Sequence, residues 1–347
     1  MNATLLRLVF AAGALLLAVV GRAQEKPEAP DKNFYVFLCF GQSNMEGFPG
    51  IPAAEKVGVD SRFQVLAAVD FKPGGRYTGP ERKAGEWYPA IPPLCRSDSG
   101  MSPADYFGRT VVANTPKEIR VGVVSVAVAG CKIEMFDKVG FQAYMATWKP
   151  GDFKVNIAKQ YGNNPYQRLV DLGKQAQKVG VIKGILLHQG ESNNGERQWP
   201  DKVKAIYGDL LKDLDLKAED VPLLVGELVP KDQGGACAGM NTIIDELANT
   251  IPTAHVISAV GCTPANNLHF DPAGYKELGT RYGVAMIPLL GYKPLDRPPV
   301  FAPPKAAAPA QGGRGRGQAS PPAAVTPVSA APVPATAAPA LGESAPK

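Results

Sequence analysis

Unbroken apolar runs alternate with amphipathic segments along the middle of the chain. The first run, residues 34–40, is apolar or aromatic throughout, which is typical of a strand covered on both faces. Similar runs predict further strands at 63–70, 121–128, 181–187, 222–229 and 255–260. Segments with helix caps or apolar residues at helical spacing predict helices at 102–114, 165–179, 200–214, 240–251 and 271–290. This alternation predicts a parallel sheet covered by helices on both faces.

The two ends of the chain differ from this middle part. Arg7, an apolar run over 8–20 and small residues near Ala23 predict a signal peptide over 1–23. The run is shorter than the roughly 20 residues that a membrane span needs, so no stable span is expected. From about Pro298, Pro and Ala dominate, which predicts a disordered tail. We therefore expect a linker at 24–33, one domain at 34–297, a tail at 298–347, and a secreted or periplasmic protein.

Composition narrows the class of function. The net charge of +5 is mild and no basic helix or stripe is visible, so no nucleic-acid partner is expected. The five cysteines are an odd number, so at least one is expected to be free or to pair between chains, and Cys39 in the first strand is interpreted as a small apolar core residue. No Cys or His spacing predicts a metal site, and no glycine-rich motif predicts a nucleotide cofactor. The oligomeric state is left open.

Polar stretches follow two of the predicted strands and precede the last helix. They lie at 41–44, 188–191 and 266–271, and parallel strands bring their carboxyl ends to one edge of the sheet. Ser43 in the first stretch could be a helix cap, but near a histidine it is a candidate nucleophile for acyl transfer. His255 lies at the amino end of its strand. This leaves His188 and His269 as bases, and His269 lies on a loop that can reach the edge.

Four motifs in this order resemble the SGNH hydrolase superfamily, and within it the carbohydrate esterase family 6 and sialate O-acetylesterase-like group. They are Gly41-Gln-Ser-Asn-Met45, Gly130, His188-Gln-Gly-Glu191 and His269-Phe-Asp-Pro-Ala-Gly274. The resemblance covers about 34–291. It implies a flavodoxin-like, three-layer α/β/α sandwich with a central parallel five-stranded sheet, and no metal or other cofactor. It also implies a serine acetylesterase that acts on O-acetylated carbohydrate, such as acetylxylan or sialate, through an acyl-enzyme.

The resemblance also assigns roles to residues. Ser43 is the expected nucleophile and His269 the expected base. The expected oxyanion hole consists of the backbone N–H groups of Ser43 and Gly130 and the side-chain amide of Gln189. Such donors stabilise the negative charge that develops on the carbonyl oxygen during attack.

The residue that orients the histidine departs from the superfamily pattern. Asn266 stands three residues before His269, where an Asp is usual, and it cannot balance the charge of an imidazolium. We expect Glu191 to be the orienting acid, with Asn266 or Asp271 as alternatives. The other interpretation of Glu191 is a carboxylate that anchors the Ser43 loop through backbone N–H groups.

Two questions about function stay open at this point. A lipase or thioesterase of the same superfamily is one alternative, and a catalytically attenuated carbohydrate-binding protein with the same fold is another.

The long irregular stretch 77–99 is expected to influence which sugar is bound. Its residues Trp87 and Tyr88, together with Trp148, could stack on a sugar ring or pack in the core.

Overall fold

The computed structural model describes residues 29–48 and 50–294, and within these a seven-stranded sheet runs through the domain. Its strands are β1 (Phe34–Gly41), β2 (Phe63–Leu66), β3 (Trp87–Pro89), β4 (Arg120–Ala127), β5 (Val181–His188), β6 (Leu223–Gly226) and β7 (Ala254–Ile257). The order is β3-β2-β4-β1-β5-β6-β7, and β3 alone is antiparallel to its neighbour. The predicted signal peptide and tail lie outside the described residues, as does the first half of the linker, residues 24–28.

Helices cover both faces of the sheet, which confirms the expected α/β/α sandwich. They are α1 (Ser43–Glu46), α2 (Pro103–Ala113), α3 (Phe141–Met145), α4 (Phe153–Gln160), α5 (Pro165–Ala176), α6 (Trp199–Asp213), α7 (Asn241–Ile244), α8 (Leu247–Thr250) and α9 (Pro272–Leu289). Two buried apolar clusters lie on the two faces. One includes side chains of α5 to α8, and the other includes side chains of α2 and α9. None of the helices in the described residues is long and apolar enough to cross a membrane.

The sheet has seven strands instead of the expected five, because β3 was not predicted and because β7, predicted as a strand at 255–260, also joins the sheet. At one edge, β3 lies inside the stretch 77–99 and forms a short antiparallel ladder with β2. Three residues are too few to show a period in the sequence. At the other edge, β7 pairs with β6. The predicted helix 240–251 is in fact two short helices, α7 and α8, and the short helices α3 and α4 were not predicted.

The centre of the sheet sets the position of the polar stretches. β1 lies between β4 and β5, so the turns that follow these three strands meet at one edge. Gly41 ends β1 and pairs with Ala127 on one side and His188 on the other. A Cβ at Gly41 would lie 2.1 Å from the His188 carbonyl oxygen, and its φ is +148°, so only glycine fits here. The chain can therefore turn sharply into Ser43 directly above the sheet.

Candidate active site

Ser43 is the first residue of α1 and lies at the carboxyl edge of the sheet. Its hydroxyl oxygen is 2.9 Å from Nε2 of His269. The first N–H groups of a helix have no partner within the helix, and the Ser43 N–H has none elsewhere in the described residues. The turn therefore presents both a hydroxyl group and an unpaired N–H at the same place.

His269 reaches Ser43 from the loop between β7 and α9. Its Nδ1 is 3.1 Å from Oδ1 of Asn266, and that oxygen also accepts the backbone N–H groups of Leu268 and His269, each at 2.9 Å. An amide oxygen can only accept, so Nδ1 carries the proton and Nε2 is free to accept from Ser43. Burial lowers the pKa of His269, which favours the neutral imidazole that a general base requires.

Glu191 does not contact His269. Its Oε1 accepts from Nδ2 of Asn44 at 2.5 Å, while Oε2 has no hydrogen-bond partner. Asn44 Nδ2 also donates to the carbonyl oxygen of Leu268, and its Oδ1 accepts from the hydroxyl of Tyr275. Burial raises the pKa of Glu191 to about 7. The position matches the anchoring interpretation of Glu191, although the link runs through the Asn44 side chain rather than through backbone N–H groups.

The other candidates for acid and base have different partners. Asp271 caps α9, because its Oδ1 accepts from the N–H of Gly274 at 2.7 Å and from the hydroxyl of Thr263 at 2.6 Å. His188 is fully buried, and its Nε2 is 3.0 Å from the carbonyl oxygen of Glu227. Burial lowers the pKa of His188 to about 4, so it stays neutral. His255 lies near the amino end of β7, as expected.

The turn after β4 carries a second unpaired N–H, that of Gly130. Gly130 has a φ of +69°, which favours glycine, and its N–H has no partner in the described residues. Gly130 and Ser43 line the same cavity. Two residues with unpaired N–H groups therefore lie at the same cavity.

Gln189 lies behind the cavity wall. Its Nε2 donates to Oε1 of Gln42 at 3.0 Å, to Oδ1 of Asn193 at 2.7 Å and to the carbonyl oxygen of Cys131 at 3.2 Å. Its Oε1 accepts from the indole of Trp199 at 2.5 Å. Both amide hydrogens are thus engaged, and Gln189 has none left for an oxyanion.

Gln42 offers the amide that Gln189 does not. It is 3% exposed and lines the cavity beside Ser43. Its Oε1 is fixed by Gln189 Nε2 and by the N–H of Ser192 at 3.2 Å. Its Nε2 has no partner among the described residues and is not sealed from solvent. Sequence reasoning missed this residue, although it stands directly before Ser43 in the same motif.

The cavity that these groups share has a volume of about 490 Å³. Two phenyl rings form much of its wall: Phe48 is 40% exposed and Phe153 is 57% exposed. The Phe48 ring lies 4.2 Å from the His269 ring, centre to centre. Trp87, which could have contacted sugar, instead packs on Phe34 at 4.8 Å. Within the described residues, no cluster of three or more His, Cys, Asp or Glu side chains could hold a metal ion.

Comparisons with known proteins show the family and the fold of this chain. A family described as carbohydrate esterase, sialic acid-specific acetylesterase matches residues 33–288. A protein of Arabidopsis thaliana has a similar structure, with a TM-score of 0.53 and 19% identity over 73% of this chain and 98% of that one. NanS gives a TM-score of 0.53 and 16% identity over 76% of this chain and 99% of its own. A carbohydrate acetylesterase from Xanthomonas citri gives a TM-score of 0.49 and 20% identity over 72% of this chain and 55% of that one. At these identities, the two structures with a TM-score of 0.53 show a likeness of fold alone.

Proposed function

Since this chain belongs to the carbohydrate esterase, sialic acid-specific acetylesterase family, and is thus a carboxylic ester hydrolase, we propose that Ser43 removes O-acetyl groups from carbohydrate through an acyl-enzyme. The observation that carries the proposal is the 2.9 Å contact between Ser43 Oγ and His269 Nε2. It lies in a cavity that is also lined by residues with unpaired N–H groups. A nucleophile, a base and oxyanion donors in one place are the requirements of acyl transfer.

In the first step, Ser43 Oγ attacks the acetyl carbonyl carbon while His269 Nε2 takes the hydroxyl proton. The carbonyl oxygen becomes an oxyanion, which accepts from the N–H groups of Ser43 and Gly130 and from the amide of Gln42. The tetrahedral intermediate then collapses. The C–O bond to the sugar breaks, and His269 delivers its proton to the departing sugar oxygen.

In the second step, His269 takes a proton from water, and the resulting hydroxide attacks the acetyl group on Ser43. The same three donors hold the second oxyanion. Collapse breaks the bond to Ser43 Oγ, which regains its proton from His269, and acetate leaves. The reaction is a hydrolysis and consumes one water for each acetyl group.

Asn266 orients His269 in this scheme, since it accepts from Nδ1 and is itself fixed by two backbone N–H groups. It holds the correct tautomer but does not offset the charge of the imidazolium. Glu191 and Asn44 do not take part in proton transfer in this scheme. They hold α1 against the histidine loop through the hydrogen bonds of the Asn44 side chain. We place the protein outside the cytoplasm, secreted or periplasmic, on the basis of the predicted signal peptide.

The test is hydrolysis of p-nitrophenyl acetate, acetylated xylan and O-acetylated sialic acid by purified protein. Ser43→Ala and His269→Ala are each expected to lower kcat by at least about 10³-fold. Ser258→Ala, which changes a serine near the end of β7, is the control and should match the wild type. Full activity in Ser43→Ala contradicts the proposal. Tight binding of acetylated glycan by an inactive wild type favours the attenuated binding protein.

A further inference from the structure

A buried ion pair lies beneath the nucleophile turn. Arg96 Nη2 is 2.5 Å from Glu46 Oε1, and the two side chains are only 4% and 8% exposed. Removing two charges from water is costly, so a buried ion pair does not by itself indicate a role in stability. The second carboxylate oxygen has a further partner, because Glu46 Oε2 accepts from the backbone N–H of Ala129 at 2.7 Å.

This carboxylate joins the two elements that carry the oxyanion donors. Glu46 is the last residue of α1, and Ser43 is the first. Ala129 directly precedes Gly130 in the turn after β4. The Glu46 side chain therefore connects α1, which carries the Ser43 N–H, to the backbone N–H of Ala129, which is adjacent to the Gly130 N–H.

Arg96 in turn holds the carboxylate in place from the long loop between β3 and α2. The Arg96 N–H donates to the hydroxyl of Ser99 at 3.2 Å, and that hydroxyl donates back to the Arg96 carbonyl at 2.8 Å. Asp98 lies 2.7 Å from Nη1 of the guanidinium. The loop thus presents a fixed cation to Glu46 rather than a free side chain.

We propose that Glu46 and Arg96 are positioning residues of the esterase reaction, which set the Gly130 N–H relative to the Ser43 N–H. The inference rests on the proposed function, because it requires Gly130 as an oxyanion donor. If the Gly130 N–H is displaced, its hydrogen bond to the oxyanion weakens strongly, because the negative charge is greatest there. Its hydrogen bond to the neutral ester in the ground state was weak from the start, so substrate binding changes little. Loss of the positioning contact therefore lowers kcat and leaves KM nearly unchanged.

The test compares two double variants. Glu46→Leu with Arg96→Met replaces the ion pair by apolar side chains of similar size, a change that buried pairs often tolerate. Glu46→Gln with Arg96→Met restores an amide oxygen that can accept from Ala129. We expect kcat on p-nitrophenyl acetate to fall about 10- to 100-fold in the first variant, with KM within about 3-fold, and to recover most of its value in the second.

Controls separate this effect from general damage. kcat is expressed per active site titrated with a fluorophosphonate, which counts only functional molecules. Asp105→Asn alters another buried carboxylate, which accepts from the Ser102 N–H at the start of α2, and should leave kcat unchanged. Equal kcat in wild type and in the Leu variant overturns the inference, as does equal loss in the Leu and Gln variants. In either case the inactivity of Ser43→Ala still upholds the proposed function.

Discussion

Replacing Asn266 by Asp should make the enzyme faster. The change keeps the shape of the side chain, and the new carboxylate can still accept from His269 Nδ1 and from the two backbone N–H groups. It adds a negative charge beside the imidazolium that forms during attack. Two unit charges about 4 Å apart attract by roughly 1 kcal/mol in water and roughly 4 kcal/mol at an effective dielectric constant of 20.

The exposure of the Asn266 side chain decides which of these two interaction energies applies. Its side chain lies at the surface, so water screens the new charge and the gain lies near the lower end, about 1–2 kcal/mol. This corresponds to a rise in kcat of about 5- to 30-fold. The reverse change in serine proteases, where the Asp is buried, costs about 10⁴-fold.

The assay is the pH dependence of kcat/KM. Burial lowers the pKa of His269, and activity is lost as the pH falls through that pKa, because the base becomes protonated. The carboxylate in Asn266→Asp raises the pKa of His269, so the acid limb should move to higher pH while the plateau above it rises. Asn267→Asp, at an exposed neighbouring position, adds the same charge without the contact to Nδ1. An unchanged plateau in Asn266→Asp, or an equal gain in Asn267→Asp, would refute the orienting role of Asn266.

Four further changes probe the rest of the site. Gln42→Leu should lower kcat on p-nitrophenyl acetate by about 10²-fold with little change in KM. Gln189→Leu should instead lower mainly the free energy of unfolding, by about 1–3 kcal/mol in urea, because it leaves the Trp199 indole unpaired. If Gln189→Leu lowers kcat more than Gln42→Leu does, Gln189 and not Gln42 is the oxyanion donor. Because burial raises the pKa of Glu191 to about 7, the folded state binds a proton there that the unfolded state has lost, so the contribution of Glu191 to stability should fall as the pH rises from about 4.5 to 7. Glu191→Gln should remove this contribution and make the measured slope more positive than in the wild type, and an unchanged slope in unfolding titrations would contradict the assignment. Phe48→Ala should move the acid limb of kcat/KM to higher pH, since the ring helps to bury His269; an equal shift in Phe153→Ala would show that the effect is not specific.

The sequence predicted the parts of the site that depend on strand order. Apolar runs placed β1, β4 and β5, and the carboxyl ends of parallel strands share one edge, so Ser43 and Gly130 could be expected to lie together. The histidine loop before α9 could be placed for the same reason. Its cap was also visible, because Asp271 and the following proline begin a helix in a recognisable way.

The sequence could not predict which of two similar side chains faces the cavity. Gln42 and Gln189 both follow buried strands, and only the packing of Trp199 and Asn193 against Gln189 turns its amide away. The sequence also could not show which side chain accepts the hydrogen bond from His269 Nδ1. Glu191 has the charge that the mechanism favours, but Asn44 occupies its Oε1. These outcomes depend on side-chain contacts between distant segments, which no local pattern encodes.

The order of strands also implies an uneven resistance to local unfolding. Ser43, Gln42 and Gly130 follow the central strands β1 and β4, whose hydrogen bonds are protected by neighbours on both sides. His269 follows β7, which is an edge strand of four residues. Edge elements generally open at lower free energy than a sheet centre. Mild denaturant should therefore release the base while the nucleophile is still in place, so that activity disappears before the central amides begin to exchange their hydrogens.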